Sequence, residues 1–498
     1  MIFVDGKMFL IRGGEVHNSS SCRLDYMERE VWPFVRDLHL NTLLVPVAWE
    51  TVEAKEGVYD FSVPEGLLGQ ARREGMKLVF LWFGLWKNGE STYVPSWVKR
   101  DSEKYFRARY RGGLASQTIS PLCEEAVQAD SRAFSAFMRF LHQADGEEHT
   151  VLLVQVENEI GFLGSDRDYS AEAEEWFAQR EPQAVAEQFG GEGTWKDVFG
   201  REAGEMFMAY YYAAAVEQIA AAGKRVYDLP MYVNAWLNQF PDVPGNYPSG
   251  GPIARNVPVW KTVVQSIDIF APDIYLSDFD GVCREYTFTG NPLFIPEARR
   301  DPVTASNAFY AFGKYNALGF SPFGIEDFIR NTGNPDAALL ERLQIDVSAF
   351  TCIDTGKYLR KTYEILEQTE ELYLECRDRG RVHAFIRRNE HERGCILPLE
   401  GCDLELIYRP KGWEKPGCAG MVLEIGEGEF YIAGCNVEIR LLPATGSNDL
   451  ITLISMEEGR FQNGKWETAR VLNGDERGFS KLGEYAEVKH YTYCRTGC

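Results

Sequence analysis

Eight short apolar runs, each followed by a longer amphipathic stretch, occupy residues 1 to about 360, and this alternation restricts the chain more than any other feature. Repeated β-then-α units build a parallel sheet covered by helices. The runs are Met8–Arg12, Thr42–Val47, Lys77–Leu81, Val151–Gln155, Met231–Trp236, Ile267–Tyr275, Pro292–Pro296 and Gly319–Gly324. Helices are expected between and after them, among them Arg23–Leu38, Asp130–His142, Glu202–Ala222, Val303–Asn316 and Asp336–Phe350. Eight such units fit a closed (β/α)8 TIM barrel better than an open doubly wound sheet, and no GxGxxG follows the first run.

Beyond about residue 370 the texture changes. Leu404–Tyr408, Met421–Ile425 and Phe430–Ala433 alternate with period two, and turns fall at Gly426-Glu-Gly428, Gly446-Ser-Asn448 and Asn463-Gly464. That pattern describes an antiparallel β-sandwich. Two domains are expected: a barrel over 1–370, with long insertions after its third and fourth strands, and a C-terminal β-sandwich accessory domain over 371–498. The insertions run from Lys87 to about Cys123 and from Gly161 to about Gly200; spans this long usually serve a site.

With 498 residues, 45% hydrophobic and 13% aromatic, the chain can bury a large core. Its 52 basic and 74 acidic residues give a formal net charge of -22, which argues against nucleic acid or an anionic membrane as partner. A small-molecule or oligosaccharide substrate is expected instead, with homo-oligomer formation left open. Asp5 interrupts the apolar start, and no window reaches the length a membrane helix needs. Eleven scattered cysteines without a CxxC pair read as reduced thiols in the cytoplasm, although seven lie after residue 370 and leave a disulfide-bearing tail open. The seven histidines form no i, i+4 pair and no Cys/His cluster, so no metal and no cofactor is expected.

The C-terminal ends of barrel strands carry the chemistry in this fold. The fourth run continues as Gln155-Val-Glu-Asn-Glu159, so Asn158 and Glu159 are expected at the mouth, with Glu157 two residues deeper on the same face, a rival for the acid assigned to a buried hydrogen bond. Trp49 and Glu50 end the second run, Trp82 and Trp86 the third, Tyr275 the sixth, Glu297 the seventh and Glu326 the eighth. Flat indole faces suit the C–H faces of sugars, so Trp49, Trp82 and Trp86 are candidate platforms and equally candidate core residues. Glu15, Glu50 and Glu326 are candidates for binding hydroxyls, Glu326 also a rival nucleophile.

Gln155-Val-Glu-Asn-Glu-Ile-Gly161 resembles the acid/base signature of clan A retaining glycoside hydrolases, most closely the β-galactosidases of families 35 and 42. Trp49-Glu-Thr-Val-Glu-Ala-Lys-Glu-Gly-Val-Tyr-Asp-Phe61 is similar to the stretch those enzymes have after strand two. Lys87-Asn-Gly with Tyr93-Val-Pro-Ser-Trp-Val-Lys99 is similar to a bacterial branch that carries a small C-terminal β domain. The resemblance implies Glu159 as general acid/base and Glu297 as nucleophile, although Pro296-Glu-Ala-Arg-Arg300 is a less distinctive context. It further implies that Asn158 binds the hydroxyl beside the reacting carbon and that Tyr275 donates to the nucleophile. Arg299 or Arg300 could help keep Glu297 ionised, against the alternative of surface salt bridges. The implied activity is that of a retaining, exo-acting β-glycosidase, first a β-galactosidase. The alternatives are a β-glycosidase or glycanase of other sugar preference, and a barrel that binds sugar without cleaving it.

Overall fold

The computed structural model of the chain describes residues 2–334, 336–342, 346–409 and 415–496. Eight parallel strands close into a barrel in sequence order: β1 (Ile11–Glu15), β2 (Thr42–Ala48), β3 (Lys77–Lys87), β4 (Val151–Asn158), β5 (Met231–Trp236), β6 (Ile269–Ile274), β7 (Phe294–Ala298) and β8 (Gly319–Pro322). Long helices pack outside, among them α1 (Glu124–Asp145), α2 (Ala203–Lys224) and α3 (Val303–Tyr315). Ile11, Leu44, Val79, Leu81, Phe83, Leu153, Tyr232, Ile269 and Phe294 fill the barrel axis, so it is a packed core and not a pore.

The first and third strands depart most from their expected positions. The first run, Met8–Arg12, lies too early, because Phe3–Val4 and Lys7–Met8 pair as a separate hairpin and β1 continues through Gly13 and Gly14. Those glycines read as a strand end, yet they are needed inside the strand: a Cβ on Gly13 would stand 2.2 Å from Ser321 Oγ, and one on Gly14 2.5 Å from Ile325. β3 is longer than expected, running eleven residues to Lys87 through Trp82 and Trp86. The helix expected over 336–350 comprises Ala337–Arg342 and a short turn at Val347–Phe350, residues 343–345 lying outside the described ones.

The insertion after β3 contains the hairpin Arg107–Arg109 and Ala115–Ile119, and the one after β4 contains three short helices between Ala171 and Phe199. Both rise from the same end of the barrel. At the opposite end a cavity of about 390 Å³ is lined largely by apolar residues such as Ile2, Val4, Leu152 and Leu318; chemistry is not expected at this rim.

Two helices, Thr355–Gln368 and Glu370–Asp378, lead into a six-stranded and a four-stranded antiparallel sheet. Leu404, Leu406, Val422, Phe430, Ile432 and Tyr491 from both sheets share one core, which makes them a sandwich. The other face of the larger sheet, through Met421, Leu423 and Tyr431, joins the apolar core of the barrel's outer layer. No helix among the described residues is long and apolar enough to cross a membrane.

β3 passes close to its neighbours at Gly84, where a Cβ would stand 2.4 Å from Asp130 Oδ2, 2.5 Å from Glu157 Oε1 and 2.6 Å from Trp82 Nε1. The three neighbours are buried and cannot swing into water. Gly84→Ala is therefore expected to destabilise the protein by about 1–3 kcal/mol, read as a lowered denaturation midpoint; an unchanged midpoint would contradict the packing.

Candidate active site

The C-terminal end of β4 departs from strand geometry. Glu157 and Glu159 adopt φ of 64° and 44°, a left-handed region that non-glycine residues enter only under constraint. Backbone hydrogen bonds hold it there: Asn88 N donates to Asn158 O at 3.2 Å and Gly89 N to Glu159 O at 3.1 Å. The kink breaks the period-two alternation, so the adjacent side chains of Asn158 and Glu159 both approach Glu297. One carboxyl oxygen from each of Glu159, Asp273 and Glu297 lies within 4.8 Å of the others, and all three residues are buried. Glu159 follows β4, and Asp273 and Glu297 lie on β6 and β7.

Glu297 is held by three donors. Tyr275 OH donates to its Oε2 at 2.8 Å, while Asn158 Nδ2 and Asn234 Nδ2 each reach Oε1 at 3.3 Å. Asn234, on β5, also donates to Asp273 Oδ2 at 2.7 Å and accepts from Glu159 N at 3.0 Å. Lys87 Nζ, at the end of β3, donates to Asn158 Oδ1 at 2.9 Å. Burial and the neighbouring Glu297 push the Glu159 carboxyl up to about 8, against the pull of Lys87 and a hydrogen bond with Asp273. Burial and the charges of Glu297 and Glu159 raise Asp273 well above the carboxylate range. Glu159 therefore keeps a proton at neutral pH.

This triangle is the acidic group among the described residues compact enough to surround a cation. Its donor set does not suit one: amide and phenol hydrogens already point at Glu297 and Asp273, and an ammonium stands beside them. The arrangement brings a carboxyl that keeps its proton at neutral pH within reach of one wrapped in hydrogen-bond donors, as proton transfer paired with nucleophilic attack requires. A cavity of about 280 Å³ opens over it, lined by Glu159, Asp273, Glu297 and Tyr275, with Trp236, Phe323 and Phe350 as aromatic walls. Phe350 also stacks on Tyr275, ring centroids 4.4 Å apart.

Several expected site residues lie elsewhere. Trp49, Trp82 and Trp86 are fully buried in the outer core, their indole N–H groups bonded to Glu53, Asp130 and Ile119 O respectively, so none is a sugar platform. Glu50 forms a half-exposed ion pair with Lys99 at 2.7 Å. Glu326 is buried, accepting from His17 N and Ser20 Oγ, and ties the loop after β1 to that after β8. Arg299 pairs with Asp301 and Arg300 with Asp327; both arginines are buried, so they are neither surface bridges nor partners of Glu297. Glu157 does not share the face of Glu159: its Oε2 accepts from Trp86 N at 2.6 Å, and its proton, kept by burial and by Asp130 on α1, stays within that pair. Glu15 is fully buried with neither oxygen hydrogen-bonded, and burial with the charge of Glu297 raises it well above the carboxylate range.

Lys87, Asn234, Asp273 and Trp236 were absent from the sequence-based set. Asn234 and Asp273 carry a signal in hindsight, being polar residues near the C-terminal ends of otherwise apolar barrel strands.

Residues 1–227 match the family model of Glycosyl hydrolases family 35, and residues 359–482 match a domain of unknown function (DUF5597). No curated protein matches the chain. Among solved structures, the beta-amylase catalytic domain from Paenibacillus polymyxa is 14% identical with a TM-score of 0.49, covering 68% of this chain and 98% of its own. The beta-galactosidase from Rahnella sp. R3 is 12% identical with a TM-score of 0.45, over 64% of this chain and 50% of that one. The beta-galactosidase from Halorubrum lacusprofundi is 14% identical with a TM-score of 0.44, over 63% and 52%. The chain thus spans about half the length of these two β-galactosidases. Likenesses this distant do not carry the assignment; the family match does, and its span includes Asn158 and Glu159 while ending before Glu297. By that match, to Glycosyl hydrolases family 35, the barrel is that of a glycoside hydrolase.

Proposed function

We propose that the protein is a retaining, exo-acting β-glycosidase, with β-galactosides as its preferred substrates, working in the cytoplasm on short oligosaccharides. The carrying observation is the separation of Glu159 and Glu297, whose nearest carboxyl oxygens lie within 4.8 Å. Retaining enzymes place their two carboxyls about 5–5.5 Å apart, whereas inverting ones leave about 6.5–9.5 Å for a water molecule. Glu159, protonated at neutral pH, protonates the leaving oxygen as Glu297 attacks the anomeric carbon. Once the aglycone leaves, the Glu159 carboxylate takes a proton from the water that releases the sugar from Glu297.

The donors to Glu297 fit this cycle. Tyr275 and the two asparagines stabilise the free carboxylate, and Asn158 can turn its amide toward a sugar hydroxyl as Glu297 becomes an ester. The exo reading is supported by the pocket, which at about 280 Å³ is at the small end of ligand sites and suits a chain end better than a continuous polymer. The sugar preference is supported by the family match and by the motifs after strands two and four. The cytoplasmic reading is supported by the cysteines, which form no disulfide among the described residues.

Glu159→Gln and Glu297→Gln are each expected to lower turnover of an aryl β-galactoside by on the order of 10³-fold or more, with circular dichroism unchanged. Proton NMR should find the β-anomer formed first. Near-normal rates in both variants, tight galactoside binding without hydrolysis, or initial release of the α-anomer would reject the proposal. A panel of nitrophenyl glycosides reads the sugar preference.

Because the leaving group is protonated by the acid form of Glu159, kcat/KM is expected to fall as pH rises through about 8. A basic limb at or below 6 would contradict the electrostatics of the site. Trp236→Ala is expected to raise KM several-fold, whereas Trp82→Phe should lower the thermal midpoint and leave KM alone, because only Trp236 faces the pocket.

A further inference from the structure

Asp273, on β6, lies beside both Glu159, which follows β4, and Glu297 on β7, and no motif resemblance assigns it a role. It is 2% exposed. Its Oδ2 accepts from Asn234, while its Oδ1 is buried and receives no hydrogen bond. One of its carboxyl oxygens lies within 4.8 Å of one of Glu159, and both side chains are buried. Two buried carboxyl groups this close are tolerated only when at least one of them keeps its proton.

The charges facing this point come from the whole rim: Glu15 on β1, Lys87 on β3, Glu159 after β4, Tyr232 on β5, Tyr275 after β6 and Glu297 on β7. Three of these groups are carboxyls, and among the described residues facing Asp273 the ammonium of Lys87 is the cation. With Glu297 ionised as nucleophile, Lys87 balances it, and the pocket is neutral when Glu15, Asp273 and Glu159 all hold protons. Once Glu159 has protonated the leaving group, it becomes a buried carboxylate that needs a donor. Asp273 is the acid beside it.

We propose that Asp273 is a positioning residue for Glu159: it stays protonated through the working pH range and donates a hydrogen bond to the Glu159 carboxylate in the half of the cycle where Glu159 acts as base. The proton remains on Asp273, no bond to the sugar is made or broken by it, and no further reactant is needed. This inference rests on Glu159 being the acid/base. The alternatives give opposite signs. An ionised Asp273 would raise the proton affinity of Glu159, so its removal would lower the basic limb of the pH profile; a protonated donor stabilises ionised Glu159, so its removal raises the limb.

Two measurements test it. Infrared difference spectra between wild type and Asp273→Asn at pH 7 need no turnover; a protonated-carboxyl stretch present in wild type and lost in D273N is expected, and its absence overturns the inference. In pH–rate profiles, Asp273→Ala is expected to lose on the order of 10²-fold in kcat and to shift the basic limb upward by about one pH unit. D273N, which keeps an N–H donor of the same shape, is expected to recover most of kcat. A limb moving downward in D273A, a D273N variant as impaired as D273A, or a change confined to KM overturns it. Wild-type protein inactive on every glycoside would instead sink the proposed function, with the infrared result still deciding whether Asp273 holds a proton.

Discussion

The mouth of the barrel concentrates carboxyl groups where little water can reach them, and most of its architecture answers that repulsion. Glu15, Glu159, Asp273 and Glu297 face one region with Lys87 as the nearby ammonium. Isolated buried carboxylates would be prohibitively costly, so the groups either keep their protons or are wrapped in donors. Two asparagines and a tyrosine surround Glu297, and Asn234 links β5 simultaneously to β4, β6 and β7. The hydrogen bonds that make the carboxyls tolerable are the same ones that set their roles.

This arrangement is incompatible with a regular end to β4. In an ordinary strand Asn158 and Glu159 would point to opposite faces. Left-handed conformations at Glu157 and Glu159 cost about 1–3 kcal/mol each and must be sustained by the surroundings. The extension of β3 to Lys87 supplies that support, because it offers the backbone donors of Trp86, Asn88 and Gly89 to the kinked segment. The long third strand, the displaced Glu157 and the paired approach of Asn158 and Glu159 are thus one structural solution.

Features governed by periodicity were legible in the sequence. The eight apolar runs mark the barrel, period-two alternation marks the sandwich, and the polar end of the fourth strand marks Asn158 and Glu159. What periodicity could not convey was side-chain direction near strand ends. An aromatic residue at a strand end reads as a platform at the mouth, and the apolar run of the third strand stops at Leu81; the longer strand and the helical layer around the barrel bury all three tryptophans instead. Arg299 and Arg300 are adjacent to Glu297 in sequence but turn into ion pairs with Asp301 and Asp327. Asp273 and Asn234 were overlooked because each is a single polar residue within a strong apolar run, and only the closed barrel brings them next to the carboxyls. Gly13 and Gly14 carried a misleading signal, since close packing and chain reversal call for the same residue type.

The larger sheet of the C-terminal sandwich presses on α3, the helix that follows the strand of Glu297. A Cβ on Gly313 would stand 2.9 Å from Met421 Cβ and 3.1 Å from Ala384 Cβ, so helix and sheet meet where only a bare backbone fits. Such a joint is shape-specific on both sides. The tail is consequently not an interchangeable cassette: a foreign sheet grafted onto this barrel would have to reproduce that shallow hollow, or leave the outer flank of the seventh strand without its buttress.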